Sequence, residues 1–170
     1  MIPPLIMMAL APVSGRISDR IGSRTLCIAG SAISCLAFAM FLLFSRTIPV
    51  PYIAVSLFVL GASAGVFMAP NNKLVLSHVS SDKQGSASGV YKISLNLGSI
   101  FGIALLPFVI INLALAQPAA KHLTVSALRH SPEILQAGFN GAFVFGIIIS
   151  ALAILASLFA VDRKDDTASF

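Results

Sequence analysis

Within this chain of 170 residues, the side chains best placed to do chemistry are those of Gly15-Arg16-Ile17-Ser18-Asp19-Arg20-Ile21-Gly22-Ser23-Arg24, where three arginines and one aspartate stand between apolar stretches. The chemistry these types support is electrostatic. A carboxylate such as Asp19 near the start of the next helix is favoured by the partial positive charge of exposed amides, and Arg16, Arg20 or Arg24 can pair with it. Gly15 and Gly22 permit the sharp reversal and close approach that a tight loop needs. A cluster of this kind can hold one arrangement of a helical bundle closed. The plainer alternative is a loop that only satisfies a charge asymmetry across a membrane, with surface ion pairs worth about 0–1 kcal/mol each. That alternative does not call for Asp19 and both glycines together.

Other polar residues are sparse and can be weighed one by one. Asn71, Asn72 and Lys73 follow Pro70 near the end of an apolar run. Asparagine offers both donor and acceptor, so Asn71 and Asn72 are candidates for a substrate path; alternatively they end the helix while Lys73 snorkels to the headgroups. Lys92 lies inside its helix and can also snorkel. Asn96, with Asn112 and Asn140, is expected to face an interior, either lining the path or making a helix–helix hydrogen bond worth roughly 0.6–2 kcal/mol. No Asp or Glu falls in the middle of an apolar run: Asp19 and Asp82 lie in charged segments, Glu133 at a helix start, and Asp162, Asp165 and Asp166 near the end. A proton-coupling carboxylate needs a desolvated site to raise its pKa. No such acid is expected within these runs.

Catalytic and metal chemistry find no footing. His78, His122 and His130 lack ligand spacing, so no metal is expected. Cys27 and Cys35 lie about two turns apart on one predicted helix, roughly 12 Å, beyond disulfide reach. No nucleophile, base and orienting group converge, so neither an enzyme nor a cofactor is expected.

The elements that must position these residues follow from composition. Apolar residues make up 57% of the chain and charged residues 10%, with a mean hydropathy of +0.94, against roughly 45–50% and 25% in soluble domains. This is the profile of an all-α integral membrane protein, a multispan helical bundle. The runs Thr25–Ser45, Thr47–Asn72, Ile93–Ala120 and Ile134–Val161 carry no charge, and each reaches the roughly 20 residues a helix needs to cross about 30 Å of hydrocarbon. Full spans are therefore expected near 25–45, 52–72, 86–113 and 138–161. Residues 2–14 form a shorter apolar piece that reads as the last part of another span, so Met1 is expected to be internal to a longer protein. Together residues 1–161 make a membrane domain, and 162–170 a tail.

Charge placement orients the bundle. With alternating spans, Arg16, Arg20, Arg24, Lys73, Lys83, Lys92, Arg163 and Lys164 share one side, and Arg46, Lys121 and Arg129 the other. The first side, with the C-terminal tail, is expected to be cytoplasmic. The net charge of +5 then reflects topology and anionic lipid headgroups; no aromatic–basic pattern suggests nucleic acid. Ser81 with Gln84 forms a capping-box pattern before the 86–113 span, and Ser131-Pro132-Glu133 is a start signal for the last helix. Gly61 with Gly65, Gly85 with Gly89, Gly98 with Gly102, and Gly138, Ala142 and Gly146 each line one helix face and are expected to pack against neighbours. Pro70 and Pro107 should bend their spans.

The segment GRISDRIGSR resembles the cytoplasmic signature of the major facilitator superfamily, roughly G-x-L-a-D-r-x-G-r-k. Gly15, Asp19, Arg20, Gly22 and Arg24 match it, Ile17 replaces leucine, and Ser18 and Ser23 depart from the commonest residues. The order of spans that follows, with GASAGVFMAP and GSASGVYKISLNLGSIFG, resembles the C-terminal half of the fourteen-span drug/proton antiporter branch. The resemblance implies a partial C-terminal repeat of the major facilitator fold in the cell membrane. It further implies a missing N-terminal transporter half, a small-molecule substrate bound between two rocking halves, and a proton as coupling ion. Gly15, Arg16, Asp19, Arg20, Gly22 and Arg24 would form its conformational motif. Alternatives are a metabolite facilitator or symporter of the same superfamily, or a small membrane assembly or regulatory protein that does not transport.

Overall fold

The computed structural model describes residues 2–43, 50–115 and 132–160. Helix α1 is Ile2–Ile21, α2 Ser23–Leu42, α3 Val50–Leu76, α4 Gln84–Leu115 and α5 Pro132–Phe159, with a short 3₁₀ turn at Ser81–Lys83 before α4. No strand occurs among the described residues. Among the described residues four stretches are long and apolar enough to cross a membrane: Ser23–Leu42, Val50–Leu76, Ser81–Leu113 and Gln136–Phe159.

Helix α2 is the centre of the bundle. It packs on α3 and on α5, while α1 lies against α3 and α4 lies against α5. Both α3 and α5 rest on α2, yet they touch each other little, leaving a furrow between them. Without a hydrophobic drive between helices in lipid, close approach and interhelical hydrogen bonds must hold such a bundle. Small residues supply both. Ser14 Oγ donates to the Gly65 carbonyl at 2.8 Å, joining α1 to α3. Tyr52 Oη donates to the Met40 carbonyl at 2.9 Å across α3 and α2. Ser150 and Ser34 meet at 3.1 Å between α5 and α2, where Phe41 also stacks on Phe143 with centroids 5.3 Å apart. Polar groups buried here are chiefly serines, which can return their protons to nearby carbonyls as Ser56 does to Tyr52 at 3.0 Å.

The glycine faces divide into two kinds. A Cβ on Gly61 would stand 2.7 Å from Pro3 Cα, and one on Gly65 2.9 Å from Leu10 Cβ, so this pair admits α1 onto α3 as expected. A Cβ on Gly146 would stand 2.9 Å from the Phe38 ring, and Gly138 is buried. Gly98 and Gly102, like Gly85 and Gly89, meet nothing within 4 Å. The packing expected of Gly98 and Gly102 is therefore not found among the described residues: α4 turns that face away from the other described helices, with Ile100, Phe101 and Ile103 alongside.

Helix boundaries also depart from expectation in instructive ways. The charged block is not a loop. Helix α1 runs through Gly15 and Asp19 to Ile21, because a helix satisfies its own backbone beyond the lipid while its charged side chains are solvated. Helix α3 likewise continues past Asn71, Asn72 and Lys73 to Leu76, so the asparagines do not end it. The capping box before α4 is absent: Ser81 falls inside the 3₁₀ turn, whose N-cap Ser80 makes no side-chain capping bond. Helix α5 begins at Pro132, the first-turn position a proline favours; Ser131, Arg46, residues 116–131 and the tail at 162–170 lie outside the described residues.

Candidate functional site

Two regions carry the polar chemistry. One is the corner where α1 turns into α2, and the other is the furrow between α3 and α5.

At the corner a single residue separates the two helices. Gly22 has φ 91° and ψ 145°, a conformation essentially reserved for glycine. Its N–H still donates to the Ser18 carbonyl at 3.1 Å, closing the last turn of α1. Across it, Ser18 Oγ and Ser23 Oγ lie 2.7 Å apart, and both residues are at most 5% exposed. The two positions that depart from the family pattern thus complement each other, a pairing that sequence reasoning treated as two separate deviations.

Charge then joins this corner to the other helices. Asp19 accepts from Lys73 Nζ at 2.6 Å, linking α1 to α3. An arginine of the block was the expected partner; Lys73, on a different helix, takes the place because α3 runs a turn further than expected and carries the lysine past the lipid. The side chains are 45% and 63% exposed, so the pair contributes at most about 1 kcal/mol in stability. Arg24 donates to the Leu158 carbonyl at the end of α5, where a cation also meets the negative end of the helix dipole. One end of the bundle is therefore cross-linked α1 to α2, α1 to α3 and α2 to α5. These are contacts that a sliding or rocking of the helices would have to break. Gly15, by contrast, sits inside α1 and makes no reversal; a Cβ there would stand 4.0 Å from Ala69 Cβ.

The furrow holds two cavities that share Phe67 and Ala153. The first, about 440 Å³, is lined by residues including Pro3, Ser31, Gly61 and Ser150. The second, about 540 Å³, lies between Phe67, Asn71, Leu74 and His78 of the α3 side and Ala156 and Ser157 of α5. No charged residue lines either. Gly30 of α2 lets the α3 backbone approach at Phe67, since a Cβ there would stand 2.9 Å from Phe67 Cβ. Ser31 Oγ in the first cavity wall is buried without a hydrogen-bond partner.

Of the asparagines singled out from sequence, Asn71 reaches the furrow and is fixed there, its Nδ2 donating to Tyr91 Oη of α4 at 3.2 Å. Asn72 and Asn96 are exposed and do not join it. Asn112 returns its amide to the Phe108 carbonyl of its own helix at 2.8 Å. Tyr91 was missed from sequence; the available signal was its phenol, whose hydroxyl needs a partner.

Among the described residues, a helical bundle of membrane-length helices, pinned at one end by a charged corner and hollowed along a furrow, is that of a multi-pass integral membrane protein. Residues 1–169 match the sequence profile of the Major Facilitator Superfamily, and the chain belongs to that family. It is also similar to the riboflavin transporter RibZ of Clostridioides difficile (strain 630), with 30% identity over 101 residues. That match takes in 59% of this chain and 22% of the relative's length.

Proposed function

We propose that the chain forms part of a carrier that moves a small, neutral organic molecule across a membrane, with the α3–α5 furrow contributing to its path. The observation that carries this reading is the pair of adjoining cavities, which contain hydroxyl, amide and imidazole groups but no charge. Ligand sites of some 300–1,000 Å³ with apolar walls and few polar groups have this character. Similarity to a riboflavin transporter supports a metabolite carrier, riboflavin itself being neutral. The corner at Gly22 would act as a lock on the cytoplasmic side, biasing which face of the carrier is open, and the C-terminal tail would lie on that same side.

Drug/proton antiport is the second reading, favoured by the glycine-patterned segments GASAGVFMAP and GSASGVYKISLNLGSIFG. It requires a proton-carrying acid beside the path; among the described residues Asp19 and Asp82 stand at the ends of helices and neither lines the furrow.

The test is solute flux in proteoliposomes carrying the complete product of the gene, with riboflavin and a panel of neutral and cationic compounds, at equal and unequal pH across the membrane. Saturable flux of a neutral compound without a pH gradient is expected. Flux only of cationic compounds, and only with a gradient, would favour the antiport reading; no saturable flux of any compound would overturn transport. The 170 residues alone should insert without transporting, since alternating access needs two halves around one site.

A further inference from the structure

Resting on the transport reading above, we propose that the Asn71 end of the furrow is a recognition site for flat, neutral molecules carrying a cyclic amide or imide edge. Three features of this cavity point to that chemistry. The first is the state of the Asn71 amide. One hydrogen-bonding position is used by Tyr91 Oη, and this holds the side chain in place. Whether the amide nitrogen donates to the phenol or, with the amide turned over, the oxygen accepts from it, at least one N–H and one acceptor lone pair stay open. A group that offers a donor beside an acceptor is matched by a partner with the same pair reversed, which is what the N–H and C=O of a cyclic amide or imide present.

The second feature is His78, on the wall of the same cavity. Its Nδ1 lies 2.9 Å from the Leu74 carbonyl. A carbonyl only accepts, so Nδ1 bears the proton, and in that tautomer Nε2 is an acceptor. The cavity thus offers a further acceptor for a second N–H on the guest.

The third feature is shape and charge. Around these groups the walls are Phe67, Leu74, Val75 and the small residues Ala153 and Ala156. They admit a flat apolar body of fused-ring size within about 540 Å³. No lysine, arginine, aspartate or glutamate lines the cavity, so an ionised guest would be desolvated without a partner.

The probes are lumichrome, a neutral fluorescent tricyclic imide, and its N3-methyl derivative, in which the imide donor is blocked and the body of the molecule is kept. Binding is read by fluorescence titration of the full 170-residue chain in lipid nanodiscs, which requires no transport. Wild type should bind lumichrome about tenfold more tightly than the methylated probe, the ratio expected when one buried hydrogen bond is lost. Asn71→Leu should bind both probes equally, at the weaker level, whereas Asn72→Leu, at an exposed neighbouring position, should retain the full preference. Tyr91→Phe, which leaves Asn71 in place but unanchored, should reduce the preference part way, so the proposal stays testable if Asn71→Leu fails to insert. Equal affinity of wild type for the two probes, failure to bind either, or an undiminished preference in Asn71→Leu or Tyr91→Phe would overturn the proposal. Flux through the complete transporter with no preference here would sink this site and leave the transport reading standing; preference here with no flux would do the reverse.

Discussion

The corner at Gly22 makes a sharp distinction between two glycines that occupy equivalent-looking places in the family signature. Gly22 sits at φ 91° and ψ 145°, where an L side chain is strained by about 1–3 kcal/mol. Gly15 sits inside α1, where a methyl group would make ordinary contact with Ala69 at 4.0 Å and would gain up to about 1 kcal/mol in helix propensity. For a chain of this size about 1 kcal/mol moves a melting temperature by roughly 2–4 °C. Gly22→Ala, taken at about 2 kcal/mol, should therefore lower the melting temperature by about 4–8 °C, and Gly15→Ala should leave it unchanged or raise it slightly. Cys27, 1% exposed, provides the assay: a thiol-reactive fluorogenic dye added to the detergent-solubilised protein reports the temperature at which that thiol becomes accessible. Melting of Gly22→Ala together with wild type, or an equal loss in Gly15→Ala, would refute the assignment of the turn to Gly22 alone.

The Ser18–Ser23 bond predicts a strongly non-additive pair. Each single alanine leaves one buried hydroxyl unpaired and should lower stability by about 1–3 kcal/mol, and the double variant should lose less than the sum; additive losses by the same thermal assay would contradict the pairing. Gly61→Ala should loosen α1 from α3 by about 1–3 kcal/mol, because its Cβ would meet the Pro3 backbone at 2.7 Å, whereas Gly98→Ala and Gly102→Ala face open space and should not melt earlier. A reversed ranking would refute the placement of α4. Single cysteines at positions 20 and 83 and in the tail should react with impermeant reagents from the cytoplasm, and those at 46 and 121–129 from outside; labelling of the tail from outside would overturn the topology.

What could be read from the sequence was whatever depends on length, charge and local conformation. Four membrane-length helices followed from uncharged runs, and Pro132 marked the start of α5 because the ring fits a first turn. Gly22 was legible as a turn residue. The contacts of the charged block were not legible, because Asp19 and Lys73 are 54 positions apart and only the extension of α3 brings them together. Spacing fails in the same manner for the glycines. Gly61 with Gly65 and Gly98 with Gly102 have the same period, which fixes a helix face but not what that face meets. The former pair receives α1, and the latter points away from the bundle. Asn71 and Asn96 were equivalent by residue type; the phenol of Tyr91 distinguishes them, and it reaches Asn71 from the following helix, 20 positions along the chain.

The central claim is that the charged corner governs conformation and leaves substrate affinity to other residues. Its most direct test is Asp19→Asn in the complete transporter, measuring initial transport rate and equilibrium substrate binding on the same preparation. The variant removes the ionic partner of Lys73 and preserves the size of the side chain at a position outside both cavities. The transport rate should fall severalfold with binding unchanged. A wild-type rate in normally inserted protein, or a loss of binding that matches the loss of rate, would contradict the account.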